Sequence, residues 1–406
     1  MLTKVNDVVS EVEKKIVYVL GSFPSGIESF VFNELKELIG LKFNILVFSV
    51  YGKPSPDNDD IEWTSRTIYA EPLCSVKIFL AHLYFFFTEP ISYCSVIRGY
   101  RTFRGKRVVW KSVYFARQVI KRDIKHIHAH FAWVATDAAR LISKLTKITY
   151  SLTAHQSDIN RYADDNLYEK LAEAKFILTC TKGNKEYLSK KFGEEIHNKT
   201  TAIYHGVNIE RFSPKNRREH CEVDILSVGS LTKVKGFNYL IKACALLKDQ
   251  GECFRCMIVG NGPEKEHLDK LITQLNLRDV VEIKDSVPHD KVKELYGDAK
   301  IFVLPLATID GASHGIPNVL AEAMAMGLPV ISCDVPNIAE LIEHDGDGIL
   351  VREKDAKALA ASIEILLLNK EMREDLGKDA REKIEKEFDA KKHIQIFATL
   401  FSRNSV

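Results

Sequence analysis

The sequence predicts an α/β protein built from two Rossmann-like, doubly wound domains. Three observations carry that expectation. Short apolar runs ending in small-residue loops recur along the chain and alternate with longer stretches of helical period. The alternation stops at a polar segment, 213–222, and restarts at Val223. The length, 406 residues at 46% hydrophobic, suffices for two cores.

The first half opens with an apolar strand over 15–21, which runs into the loop Ser22, Phe23, Pro24, Ser25, Gly26. A helix is expected from about Glu28 to Ile39, with Phe30, Val31, Leu35 and Leu38 on one face, then a strand over 43–50. Further strands are expected at 124–128, 148–153, 176–181 and 201–204, each leading into a loop. The polar run 213–222 reads as a linker, which bounds a first domain at 1–212 and a second at 223–388.

The second half continues through strands at 223–229, 255–260, 280–284, 301–306, 330–333 and 348–351. Its most informative stretch is 310–327. There a loop leads through Pro317 and Asn318 into a short helix over 319–326, which Gly327 stops. Strand, loop, helix and strand make one βαβ unit. The helix start offers unpartnered N–H groups and partial positive charge to an anion. Glu322, about one turn in, can reach past a phosphate there and accept hydrogen bonds from a sugar diol. An ordinary solvated glutamate on a crossover helix has the same pattern.

Composition narrows the function. A net charge of +2 argues against nucleic acid as a partner. Eight cysteines and no signal peptide lead us to expect reduced thiols and a cytoplasmic protein. Cys253 and Cys256 make the single Cys-x-x-Cys, inside an apparent strand and without a second ligand pair at metal spacing, so core cysteines are expected. The acidic pairs Asp57 with Asp59 and Asp345 with Asp347 read as turns and solvated surface.

The 310–327 stretch resembles the signature of family-4 retaining glycosyltransferases of GT-B fold. Gly315, Pro317, Asn318, Glu322, Ala323, Met324, Ala325, Gly327, Pro329 and Val330 match. The first of that family's two glutamates, eight residues before Glu322, falls on His314. The resemblance implies two Rossmann-like domains facing across a cleft, with the last helix (389–406) crossing back to the first domain.

Four loops then supply the expected site. Ser230 to Gly236 follows a strand and carries Lys235 just before a helix, a pattern suited to cradling phosphate. The family has Gly-Arg-Leu there, and Ser230 replaces the arginine. Thr153, Ala154, His155, Gln156, Ser157, Asp158 is similar to the family's Thr-x-His-Gly-x-Asp, with Gln156 replacing Gly. The loop from Ser22 to Glu28 resembles the Phe-Pro-x-x-x-Glu opening of bacterial polysaccharide-building members. Gly260, Asn261, Gly262, Pro263 matches a Gly-x-Gly-Pro turn, which on its own reads equally as a tight turn needing positive φ. The resemblance implies catalytic roles for His155, Lys235 and Glu322. It implies donor contacts at Gly21, Ser230, Lys235, Gly262, His314, Gly315, Asn318, Val319 and Glu322, and acceptor-side roles for Glu28 and Asp158. No metal or other cofactor is expected, since lysine and helix dipoles can manage the diphosphate.

One segment bears on the acceptor. The apolar run 73–87, broken by Lys77 and His82, is too short and polar to span a bilayer. From Arg98 to Lys125 ten basic residues face one acidic residue, Asp123, with Tyr100, Phe103, Trp110, Tyr114 and Phe115 interleaved. That mixture suits an anionic membrane surface at the inner face of the membrane; a helix whose aromatics pack inward gives the same pattern. The expected function is transfer of a sugar from a nucleotide-diphosphate donor to a hydroxyl acceptor, a glycan or lipid-linked glycan, with retention. A catalytically silent sugar-nucleotide binder is the rival, because His314 and Ser230 alter two charged donor contacts together.

Overall fold

The computed structural model describes residues 15–24, 29–52, 61–99, 103–161, 166–218, 221–309 and 315–404. They form two compact units, each on one parallel sheet. The first unit holds the described residues up to Cys180, then Asn184–Ile203, and those from Ile394 on; the second holds Thr181–Gly183 and Tyr204–His393.

In the first unit the strands are β1 (Lys15–Leu20), β2 (Asn44–Ser49), β3 (Thr67–Tyr69), β4 (His126–His130), β5 (Tyr150–Ala154), β6 (Ile177–Thr179) and β7 (Thr200–Ala202). Their order across the sheet is β3-β2-β1-β4-β5-β6-β7. Alternate residues serve opposite faces. Val17, Val19, Phe48, Ile127 and Leu152 enter one core, and Ile16, Tyr18, Leu20, Ile45 and Val47 the other. Both faces are covered, so β1 and β2 read as nearly unbroken apolar runs, whereas β4 alternates His126, His128 and His130 with apolar residues. The short edge strand β3 has no such run and was not expected from the sequence.

The second unit contains β8 (Val223–Val228), β9 (Cys256–Val259), β10 (Val281–Lys284), β11 (Ala299–Leu304), β12 (Val330–Cys333) and β13 (Ile349–Val351), in the order β10-β9-β8-β11-β12-β13. The chain builds outward from β8 to β10, then returns to the other side of β8 with β11. The connections leaving β8 and β11 therefore run to opposite sides, and the usual ligand position in such sheets is the crevice at the carboxyl ends of these two strands. In the first unit β1 and β4 are related in the same way.

The division between units falls at Ile203 and Tyr204 rather than after residue 212. Val207 and Phe212 pack into the second core, and the Val207 N–H donates to the Phe388 carbonyl. The polar run 213–222 is not a free linker in its described part. Pro214–Asn216 forms a 3-10 turn, and the Arg217 guanidinium donates to the carbonyls of Gly327 (2.7 Å) and Ala299 (3.3 Å). The closing helix Ala390–Asn404 contributes Ile394, Phe397 and Phe401 to the core beside Tyr18 and Leu20. All eight cysteines are free thiols. Cys253 is exposed, ahead of β9, whereas Cys256 is buried in it.

Candidate active site

In the second unit the loop after β8 turns through the 3-10 segment Lys233–Lys235 into the helix Phe237–Asp249, whose N-terminus no side chain caps. Gly236 makes the turn with φ of 69°, and a Cβ there would sit 1.8 Å from the Pro305 carbonyl oxygen in the loop after β11. The Ala307 N–H donates to Val234 O at 3.0 Å, so the two loops of the crevice are joined backbone to backbone. Close approach also explains the turn after β9. A Cβ on Gly260 would meet Gly229 O at 1.9 Å, and one on Gly262 would meet Leu231 O at 2.4 Å. Neither glycine has positive φ; they are there for contact with the neighbouring loop, not for a left-handed turn.

Lys235 is 9% exposed, with its methylenes lying against Gly229. Burial alone pushes its ammonium down to about 8 from 10.5, and among the described residues no carboxylate offsets that cost. A buried cation without a counter-charge is a site prepared for an anion. Ser230 lies in the same loop, its carbonyl accepting from the Thr232 N–H at 2.8 Å.

The loop after β11 delivers Gly315 and Pro317 to the short helix Asn318–Ala325, again without a side-chain cap. Asn318 and Val319 form its first turn, half-exposed. Glu322, one turn in and 7% exposed, is held from both sides. One carboxylate oxygen faces His289 Nε2 at 2.8 Å and the other accepts from the Tyr296 hydroxyl at 3.1 Å. Burial and the adjacent carboxylate push the Tyr296 phenol well up, so it stays a donor. Each carboxylate oxygen keeps a second lone pair for a ligand. His289 and Tyr296 lie more than two dozen residues away in sequence, and no local pattern marked them.

In the first unit His155 follows β5. Its ring stacks on Phe131 at 4.3 Å, its Nε2 lies 3.3 Å from His130 Nδ1, and its Nδ1 lies 3.3 Å from the Cys180 sulfur. His130 Nε2 in turn faces the Glu34 carboxylate at 3.3 Å, which also accepts from the Tyr18 hydroxyl at 2.6 Å. A carboxylate accepts only, so a neutral His130 donates to Glu34 through Nε2 and leaves Nδ1 to accept from His155; the Cys180 thiol beside His155 Nδ1 is held protonated by burial. The same strand presents His126 and His128, whose ring nitrogens meet the hydroxyls of Thr149, Ser151 and Thr153. Burial keeps both neutral, His126 pushed down to about 3 and His128 well below its ordinary value. Glu34, His128 and His130 lie close enough to hold a metal ion, yet both His128 nitrogens are already engaged by hydroxyls. The alternation His126, His128, His130 was a visible signal in the sequence that the reading above did not use.

Asp158, expected on the acceptor side, is fully buried. Its carboxylate accepts from the backbone N–H of His155 (2.7 Å) and of Ala132, so it fixes the His155 loop against the end of β4 and is a positioning residue. Burial raises its pKa to about 7. Asp158→Ala would leave two inward N–H groups unpaired, a loss of about 2–4 kcal/mol in stability. Chemical denaturation checks it: a change under 1 kcal/mol would return Asp158 to the solvent side. Gly21, at the end of β1, leaves a space bounded by the Tyr51 ring and Val134. Glu28 and His314 lie outside the described residues.

In the basic stretch after Arg98 the apolar residues and Lys111 are drawn into the fold, while Arg107, Lys121, Arg122 and Lys125 stay exposed. The helix Phe103–Lys121 buries Val109, Val113, Tyr114 and Phe115, and Lys111 turns inward to the Val50 carbonyl at 2.7 Å. Of the acidic pairs, Asp57 and Asp59 lie outside the described residues. Asp347 is not solvated: it is buried and paired with Lys383 at 2.8 Å.

Residues 24–211 match the family model described as Glycosyltransferase Family 4, and residues 208–383 match Glycosyl transferases group 1. The putative colanic acid biosynthesis glycosyltransferase WcaL of Escherichia coli K12 is 30% identical over 407 residues, covering 92% of this chain and 96% of the relative. The amylovoran biosynthesis glycosyltransferase AmsK of Erwinia amylovora is 42% identical over 189 residues, 45% of this chain and 46% of that protein. The crystal structure of Anabaena Alr3699/HepE in complex with UDP superposes with a TM-score of 0.73 at 16% identity, covering 96% of this chain and 100% of that one.

Proposed function

This chain belongs to glycosyltransferase family 4, with the two Rossmann-like units of the GT-B fold, and from that membership we propose that it transfers a sugar from a nucleoside-diphosphate donor to a hydroxyl acceptor with retention of configuration. The observation that carries the reading is Lys235: a buried ammonium that no carboxylate among the described residues compensates, in the crevice loop after β8, joined backbone to backbone to the loop that leads to Glu322. Related chains work in the assembly of bacterial polysaccharides, which favours a glycan or lipid-linked glycan as acceptor. UDP bound to the structural neighbour HepE favours a nucleotide donor.

In this reading the diphosphate lies across the uncapped N-termini of Phe237–Asp249 and Asn318–Ala325, and Lys235 neutralises the charge that grows as the glycosidic bond breaks. Glu322 accepts hydrogen bonds from the ribose diol. The acceptor oxygen attacks on the face the diphosphate leaves, and a departing phosphate oxygen takes the acceptor proton, so no separate protein base is needed. Lysine and helix dipoles carry the anionic charge in place of a cation. In the first unit His155 and Gly21 lie at the carboxyl ends of β5 and β1, the position where such sheets take a ligand.

A catalytically silent nucleotide-sugar binder is the second reading, favoured by Ser230 and His314 standing where the family has charged contacts. Turnover of a panel of nucleotide sugars, with NMR of the product anomer, separates the two. A retained anomer supports the proposal, an inverted one rejects retention, and binding without turnover supports the silent reading. His314 can donate as well as accept, unlike glutamate, so the preferred donor should differ from the usual hexose. Wild type against His314→Glu on the same panel should switch the preferred sugar; identical profiles would remove His314 from the site.

A further inference from the structure

The helix Val76–Thr88 is apolar on both faces. Ile78, Ala81, His82 and Phe85 are buried against the first unit. Val76, Phe79, Leu80, Leu83, Phe86 and Phe87 make a second stripe at i, i+3, i+4, i+7, i+10 and i+11, and this stripe faces solvent. Val76 is 69% exposed and Phe87 75%, and Ile91, at the start of the next helix Pro90–Gly99, is 86% exposed. Surface apolar residues are ordinarily scattered; a continuous patch on the order of several hundred Å² marks a contact surface.

Charge and amphipathic aromatics surround this stripe. Over residues 76–122 the sequence carries ten lysines and arginines against one acidic residue, Glu89, in a chain whose net charge is only +2. Lys77 lies within the helix itself, Arg117 sits 3.9 Å over the Tyr84 ring, and half-exposed Trp110 packs on His82 with ring centroids 4.3 Å apart. Arg98 edges a shallow recess of about 760 Å³ that Pro90, Ile91, Cys94 and Ser95 also line.

We propose that the exposed face of Val76–Thr88, continued by Ile91, is a docking surface that lies flat in the interface of an anionic lipid bilayer. A 13-residue helix is about 20 Å long, short of the roughly 30 Å hydrocarbon core, so it lies on the membrane and does not cross it. Its apolar stripe enters the acyl boundary while the neighbouring cations meet lipid headgroups and Trp110 sits at headgroup level. A second copy of this chain fits poorly, because a two-fold contact would set this basic region against itself. Nucleic acid would meet the cations but not the aliphatic side chains Val76, Leu80, Leu83 and Ile91. The proposal locates membrane contact in the apolar helix, with the basic segment beside it supplying selectivity for anionic lipid. It does not depend on sugar transfer.

The test is co-sedimentation of the full chain, without donor or acceptor, with phosphatidylcholine vesicles with and without about one-third phosphatidylglycerol. Wild type should bind the anionic vesicles at least ~10-fold more tightly than the neutral ones. The triple change Phe79→Ser, Phe87→Ser and Ile91→Ser should weaken that binding by ~10-fold or more with an unchanged melting temperature. Arg98→Glu with Arg107→Glu should abolish the preference for anionic lipid. Phe87→Trp gives a direct reading, since its fluorescence should shift to the blue on anionic vesicles. Absent binding, triple-variant binding equal to wild type, or no shift at Trp-substituted position 87 would overturn the proposal. So would a concentration-dependent dimer that the triple change dissolves, because the stripe would then be a protein interface.

Discussion

Replacing Lys235 with methionine should abolish turnover and at the same time stabilise the unliganded protein. The ammonium sits at about 8 when folded and near 10.5 when unfolded, because burial removes its water and no carboxylate among the described residues replaces it. The folded state therefore binds fewer protons between pH 8 and 10.5. Its stability rises with pH across that window, and below about pH 8 the full penalty remains. Methionine fills a similar volume without the charge, so the variant should gain about 2–3 kcal/mol at pH 7, and the gain should fade towards pH 10.5. Melting curves at several pH values check both parts. A variant no more stable at pH 7, or one whose gain is independent of pH, would mean that the ammonium is solvated or already paired. The same titration predicts that nucleoside-diphosphate affinity falls as pH rises through about 8. Lys235→Ala should lower kcat more than it lowers donor affinity, since the diphosphate gains charge only as the bond breaks.

Glu322→Ala should weaken nucleoside-diphosphate binding by about 1.5–3 kcal/mol, roughly 10- to 150-fold, the range for losing hydrogen bonds to a charged group. The fold should tolerate the change. The Tyr296 hydroxyl can donate instead to the Val319 carbonyl, 3.1 Å away, and His289 can turn to water. Calorimetric titration with the free diphosphate reads the loss, and unchanged affinity would sink the ribose assignment. His289→Ala provides the contrast: it releases one carboxylate oxygen without removing the acceptor, so its effect should be smaller than that of Glu322→Ala.

Much of this architecture was legible along the chain. Buried parallel strands are largely apolar, so β1, β2, β8, β9, β11 and β12 stood out as runs, and the loops they feed could be located to within a few residues. The edge strand β3 did not, because three residues, one buried and two half-buried, make no run. Lys235 and Glu322 were legible as well, since each follows a strand and lies at or within the start of a helix, a local arrangement that needs no tertiary knowledge.

What surrounds those residues was a different matter. The sequence by itself determined the class of fold, the family and the loops at the carboxyl ends of the strands, because periodicity, turn residues and motif spacing are properties of short segments. Only the tertiary structure decided that Asp158 faces inward, that His130 and Glu34 line up behind His155, and that His289 and Tyr296 hold Glu322. It alone decided that the second apolar face of Val76–Thr88 is left uncovered. Hydrogen-bond partners and burial depend on which segments the packed sheet brings together, and residues 25 to nearly 100 positions apart carry no mark of that meeting in their local sequence.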